Sequence, residues 1–329
     1  MHPWCVVLVA GVLLSLSASV VAQDDAQLQL LLRPDLRGMS ASSSLHSTLD
    51  KSALQTILIG AQQQQPESQY LLAVMRLYGH GVEKDARAAV TLLKQAASQA
   101  HTDAEFALAV LHSTGNADGG VPQSDRATAT WLSSSANRGH IDAKWMLAIL
   151  LNEGRGIEEN VPRALELLED AVEAHNHHAQ FHLGVMYEYG RGVPQNFSRA
   201  AELYEMAASD DIPDAVYYLG LLYAQGRGKK QSFTTAMELF QRAAEGFEHA
   251  QAMYALGHMH ANGQGTPVDY SLALAWFRRA AQRSDPRISA TAEQVTNELQ
   301  TFLQQVEERV REQETALGTS IRVTIGAIE

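Results

Sequence analysis

A single internal period constrains this chain more than any motif does. Glycine pairs recur as Gly79-x-Gly81, Gly154-x-Gly156, Gly190-x-Gly192, Gly226-x-Gly228 and Gly263-x-Gly265, with a stretched version from Gly115 to Gly119-Gly120. Their first glycines lie 36, 39, 36, 36 and 37 residues apart. A leading alanine keeps the same register at Ala104, Ala143, Ala179, Ala215 and Ala252. So does a Leu-small pair, at Leu72-Ala73, Leu108-Ala109, Leu147-Ala148, Leu183-Gly184, Leu219-Gly220 and Leu256-Gly257. Several columns sharing one period mean one supersecondary unit copied and stacked. The 329 residues would otherwise suggest two or three domains. A repeat array escapes that size prior, because each unit packs only on its neighbours.

Each unit reads as two helices. In the fifth, Pro213 suits a first helical turn. Ala215, Tyr218, Leu219, Leu222 and Tyr223 then follow the spacing of an apolar helical face. Gly226 falls where a left-handed C-terminal cap is expected. Ser232 is an N-cap candidate for a second helix carrying Ala236, Leu239, Phe240, Ala243 and Ala244. Two such stripes cannot bury themselves within one unit; stacked copies can.

The pattern Ala215…Leu219-Gly220…Tyr223…Gly226-Arg227-Gly228…Ala236…Leu239-Phe240…Ala243-Ala244, with Trp276-Phe277…Ala280-Ala281 in the sixth unit, resembles the Sel-like repeat family (SLR), tetratricopeptide-like repeats of the suppressor/enhancer-of-lin type. The resemblance covers residues 66–285 as six units. It implies an all-α fold, a right-handed α/α superhelix (solenoid) used as a protein-binding scaffold without a catalytic site. Units one to three depart from it: Arg76, His112 and Leu151 replace the tyrosine, and Ala73, Ala109 and Ala148 replace the helix glycine.

The flanks read differently. Residues 1–22 contain an uncharged apolar run ending in Val20-Val21-Ala22, too short for a membrane span and shaped like a signal peptide cleaved after Ala22. An uncleaved N-terminal anchor is the alternative. Cleavage would remove Cys5, the only cysteine, and with it any disulfide or thiol chemistry. Residues 23–49 form a Ser/Gln-rich leader, and 50–65 the second helix of a degenerate capping repeat. Ile288, Ala292, Val295, Leu299, Phe302, Val306 and Val310 define an amphipathic helix over 286–315. It reads as a C-terminal cap, or alternatively as the seam of a homodimer, since most of its steps alternate between four and three. Ile321, Val323 and Ile325 alternate like a strand within the tail 316–329, which reads equally as a disordered end.

Little in the sequence supports chemistry. The Gly-x-Gly pairs lack the third glycine of a dinucleotide site and the Lys-Ser/Thr of a phosphate loop. His178 and His182 are i, i+4 neighbours able to share a metal, but no Glu follows His178 to make a metalloprotease motif. No cofactor is expected. Formal charge is −12, which argues against nucleic acid as a partner. Residues 153–214 hold 13 acidic against four basic side chains, and a partner with a basic patch is the functional reading of that stretch.

Other proteins are therefore the expected partners. On the first helices, the positions two before Leu read Tyr70, Phe106, Trp145, Phe181, Tyr217 and Tyr254, either packed between units or open as a ladder. A mixed seam at Gln69, Glu105, Lys144 and Gln180, extended by Asn152 and Glu188, is the candidate groove floor. Asn196-Phe197-Ser198 is a glycosylation sequon at Asn196. Together these imply a non-enzymatic adaptor in the secretory pathway, in the ER lumen or secreted. Proteins of similar pattern serve ER-associated degradation (ERAD). The alternatives are a bacterial periplasmic or secreted scaffold and an exported hydrolase using groove histidines.

Overall fold

The structure, a computed structural model, describes residues 51–283 and 286–326, with side chains described at 52, 54–283 and 288–313. The expected signal peptide and Ser/Gln-rich leader lie outside the described residues. Fourteen α-helices, joined by short loops, lie among the described residues. They are α1 (Lys51–Gln62), α2 (Pro66–Tyr78), α3 (Ala86–Ser98), α4 (Thr102–Thr114), α5 (Asp125–Asn137), α6 (Ile141–Glu153) and α7 (Val161–Glu173). There follow α8 (His177–Tyr189), α9 (Phe197–Ser209), α10 (Pro213–Gln225), α11 (Phe233–Gln241), α12 (Ala250–Asn262), α13 (Tyr270–Ala281) and α14 (Pro286–Gly326). A π-helical turn, Arg242–Gly246, ends α11. No strand occurs among the described residues, only a lone bridge between Asn116 and Val121 in the stretched second loop.

The fold class is all-α, built of helix pairs repeating every 36 residues or so. The chain divides into two units, one reaching His182 and one starting at Leu183, with the division inside α8. In the first, α2 packs on α3, α4 on α5 and α6 on α7, while α3–α4 and α5–α6 join successive repeats and α1 covers α2. In the second, α10 packs on α11 and α12 on α13, α9 joins α10, and α14 lies on α12 and α13. The second helices share one capping device. Asp85, Ser124, Asn160, Asn196, Ser232 and Asp269 each accept the backbone N–H three residues on, at 2.8–3.2 Å. Such a cap is worth roughly 1 kcal/mol.

The two glycines of each pair do different work. The first ends the opening helix in the left-handed region, as at Gly154 and Gly226, and donates back to Leu150 and Leu222. In the third and fifth repeats the second permits contact with the repeat before. A Cβ on Gly156 would overlap the carbonyl of Asp125, and one on Gly228 that of Phe197, each at the start of the preceding repeat's second helix.

The turn between repeats also uses the left-handed region, but with little help from glycine. Gln64, Ala100, His175, Asp211 and Glu248 all have φ of 55–65°, and only Gly139 supplies glycine at the same point of the period. Paired backbone bonds, such as His101 N–H to Ala96 and Ala100 N–H to Ala97, hold the chain there.

The alanine-for-glycine change in the early repeats has a packing cause. In the later ones a Cβ on Gly184, Gly220 or Gly257 would stand 2.5–2.7 Å from a ring carbon of Tyr204, Phe240 or Phe277. Where Ala73, Ala109 and Ala148 stand instead, the matching position of the second helix holds buried Leu93, Leu132 and Leu168. Small residue and ring thus change together. Gly220→Ala should therefore cost about 1–3 kcal/mol by overpacking. Phe240→Leu added to it should recover much of that loss, a coupling measurable by a denaturant double-mutant cycle. Strict additivity would show that the ring does not set the glycine.

Candidate functional site

The seam residues are the first test of a binding surface, and most are buried. Gln69 is 2% exposed, Glu105 and Gln180 3%, and Glu188 7%. Gln69, Glu105 and Glu188 face the second helix of their own repeat. Gln69 donates to Gln95 (3.3 Å) and accepts from Gln99 (2.9 Å). Glu105 accepts from the Ser134 hydroxyl at 2.7 Å, with Arg138 at 3.4 Å. Lys144, partly exposed, pairs with Asp170 at 3.1 Å. Tyr204 donates to Glu188 at 2.7 Å, and burial raises the Glu188 carboxyl above its ordinary range. Gln180 lies 3.2 Å from the His177 ring, while Asn152 is half-buried. These side chains tie helices together, and the seam offers a partner little open surface.

The aromatic positions are interior as well. Tyr70, Phe106, Trp145 and Phe181 are buried, Tyr217 and Tyr254 largely so. Most carry a histidine from a later turn. Tyr70 stacks on His101 at 5.0 Å, Phe106 on His140 at 4.5 Å, and Tyr217 meets His249 at 4.9 Å.

Those three histidines are the polar feature that sequence reasoning missed. Each is the N-cap of a first helix, and its Nδ1 accepts a backbone N–H at 3.2 Å from Ala104, Ala143 or Ala252. An Nδ1 that accepts leaves the hydrogen on Nε2, which donates to an acid one repeat earlier. His101 reaches Glu67 (2.9 Å), His140 reaches Asp103 (3.2 Å) and His249 reaches Asp214 (3.2 Å). The bond from His140 holds the Asp103 carboxyl below its ordinary value. Asn176 does the same work with an amide, capping Ala179 and donating to Asp142 at 2.8 Å. At Ile212 the side chain supplies no cap. A histidine just before three of the six first helices, at His101, His140 and His249, was the available signal.

This histidine edge borders an open cleft of about 430 Å³ in the first unit, lined by Asp103, Arg138, His140, Asp142, His175 and Asn176. Its carboxylates are engaged by the caps just described. The expected His178–His182 pair stacks on Trp145, with centroids at 4.8 and 5.7 Å. Among the described residues no three His, Cys, Asp or Glu side chains come together as a metal cage. His258 is packed between Tyr254 (4.6 Å) and Phe277 (5.1 Å), and burial drives its pKa down to about 4. His260 is buried beside it in the same helix, its pKa likewise lowered by burial.

On the third repeat the open groups include a run of acidic side chains. On α7, Glu166, Glu169, Asp170 and Glu173 lie exposed, continued by Glu158 and Glu159 in the preceding loop. Arg163 pairs with Glu166 (2.7 Å) and Lys144 with Asp170, leaving the balance acidic. Asn196 is exposed at the start of α9, its Oδ1 used in capping Arg199.

The family model described as Sel1 repeat matches residues 66–101, 102–140, 141–176, 177–211, 213–246 and 250–285. The chain belongs to the Sel1 repeat family. Its matched units coincide with the helix pairs α2/α3 to α12/α13. Sel1 repeats mediate protein binding, so the coarse functional class is an interaction scaffold. Among solved structures, a Sel1 repeat protein from Oxalobacter formigenes is similar at 25% identity and TM-score 0.64, over 71% of this chain and 92% of that one. So is c5321, a protective antigen of uropathogenic Escherichia coli with an SLR fold, at 23% identity and TM-score 0.61. This chain covers 50% of c5321, with 71% of its own length aligned. No curated protein matches. Among the described residues no helix is long and apolar enough to cross a membrane.

Proposed function

We propose that this Sel1 repeat protein is a non-catalytic scaffold that binds a basic protein surface through the exposed acidic face of α7, after export from the cytosol. The observation that carries the reading is the split between buried and open polar groups. Glu105, Gln180 and Glu188 are enclosed and serve packing, whereas Glu158, Glu159, Glu166, Glu169 and Glu173 make an open acidic surface. Rim charges of this kind steer association and choose partners more than they add raw affinity. Export is supported by the signal-like residues 1–22, and a secretory-pathway route by an exposed sequon at Asn196.

Binding to the native partner tests it. Glu166→Gln, Glu169→Gln and Glu173→Gln together should lower the association rate about tenfold or more at low salt. High salt should erase the difference. An unchanged rate with an unchanged melting temperature would place the binding surface elsewhere. A periplasmic or secreted bacterial scaffold is the second reading, favoured by the bacterial origin of the similar structures. An N-glycan on Asn196 of native protein would decide for the eukaryotic route.

A further inference from the structure

Because the export proposed above, on which this rests, brings the chain to a lumenal sugar donor, we infer that Asn196 accepts an N-linked glycan while still capping α9. Of the eight asparagines in the sequence, only Asn196 has a serine or threonine two residues on, Ser198, with Phe197 and no proline between. A glycan is bulky and needs a surface position. Asn196 and Ser198 are both exposed, between exposed Pro194 and Gln195 of the loop and exposed Arg199 of α9.

The hydrogen bonds of Asn196 single out the atom that carries the sugar. Its N–H donates to the Tyr187 carbonyl at 2.9 Å, and its own carbonyl accepts from the Ala200 N–H at 3.0 Å. Its Oδ1 accepts the Arg199 N–H at 3.0 Å, which is the cap. Three of its four polar groups thus hold the start of α9. The fourth, Nδ2, has no partner within the protein, and it is the atom that forms a glycosidic bond.

In the transfer, Nδ2 attacks the anomeric carbon of an oligosaccharide carried on a polyprenyl diphosphate. The C–N bond forms as the C–O bond to the diphosphate breaks. The diphosphate leaves with the electron pair, and the amide loses one of its two hydrogens as a proton. Oδ1 takes no part, so the cap survives the modification.

The third repeat contains a control. Asn160 is exposed at the start of α7 in the same setting. Its N–H donates to Leu151 at 2.9 Å, its carbonyl accepts from Ala164 at 2.9 Å, and its Oδ1 accepts from Arg163 at 3.0 Å. Pro162 stands where Ser198 stands in the next repeat, and the sequon is missing.

Expression of the full chain in cultured eukaryotic cells tests this, with residues 1–22 either kept or exchanged for a signal sequence of proven function. Behind the exchanged leader, the wild type should carry one glycan, Asn196→Ala none and Pro162→Ser two. The glycosylated wild type should melt together with wild type made without glycan, and roughly 2–4 °C above Asn196→Ala, which loses the cap as well. A wild type without glycan behind the exchanged leader, a Pro162→Ser chain glycosylated at Asn160 alone, or a glycosylated wild type melting as low as Asn196→Ala would each overturn the inference. A glycan behind the exchanged leader but none behind residues 1–22 would uphold the acceptor site and count against export instead.

Discussion

Gly228→Ala should destabilise the second unit by about 3–5 kcal/mol. Two costs add. The residue has φ of 66°, a conformation a non-glycine residue adopts only under strain. Its new Cβ would also meet the carbonyl of Phe197 and the amide of Ser198, backbone atoms of the α9 start that have nowhere to move. Gly81 is the internal control. It has nearly the same φ, 69°, but a Cβ there meets only the flexible end of Met75, at 3.5 Å. Gly81→Ala should therefore carry the conformational cost alone, about 1 kcal/mol. Urea unfolding of both variants separates backbone strain from repeat-to-repeat contact. Equal losses would remove the proposed reason for the second glycine.

His258 should make the sixth repeat sensitive to mild acid. Its folded pKa is about 4 because burial between Tyr254 and Phe277 disfavours the charged ring, whereas an exposed histidine titrates near 6.5. Between those values the unfolded chain binds a proton that the folded chain refuses. Stability is thus complete above pH 6.5 and falls as the pH drops toward 4, by about 3 kcal/mol in total. His260 acts in the same direction. Asp103 does not contribute in this window, since its depressed carboxyl loses its share only below the ordinary carboxylate range. His258→Leu, which copies Leu221 of the preceding repeat, should flatten most of the slope. Thermal unfolding across pH 4 to 7 reads it directly. A variant with the wild-type slope would assign the acid sensitivity to another group.

Most of the architecture was legible because it rests on local rules repeated six times. The period, the Gly caps and Ser232 as an N-cap all follow from propensity and spacing, and the repeat helices stand where those rules put them. The seam was not legible in the same way. A helical wheel separates Gln69 or Glu105 from the apolar stripe of its own helix, but it contains no second helix. Gln95 and Ser134, which enclose them, lie 26 and 29 residues away. In a solenoid a first helix is covered on several sides, so a polar residue off the stripe still becomes interior. The same limit hid the histidine caps, whose acids lie 34 to 37 residues back. The C-terminal tail departs from expectation too. Three alternating residues, Ile321, Val323 and Ile325, suggested a strand or a disordered end, yet helix α14 runs through them to Gly326. A strand needs a partner to satisfy its backbone, whereas a helix supplies its own bonds.

The claim that matters most is that packing uses the inner polar residues while the acidic face of α7 meets a partner. Crosslinking the full chain in its native host, followed by mass spectrometry of the linked peptides, tests it most directly. The account predicts carboxylate-to-lysine crosslinks from Glu166, Glu169 or Glu173 to a basic surface of another protein. Crosslinks from a partner clustered on the first helices, with none to α7, would contradict it.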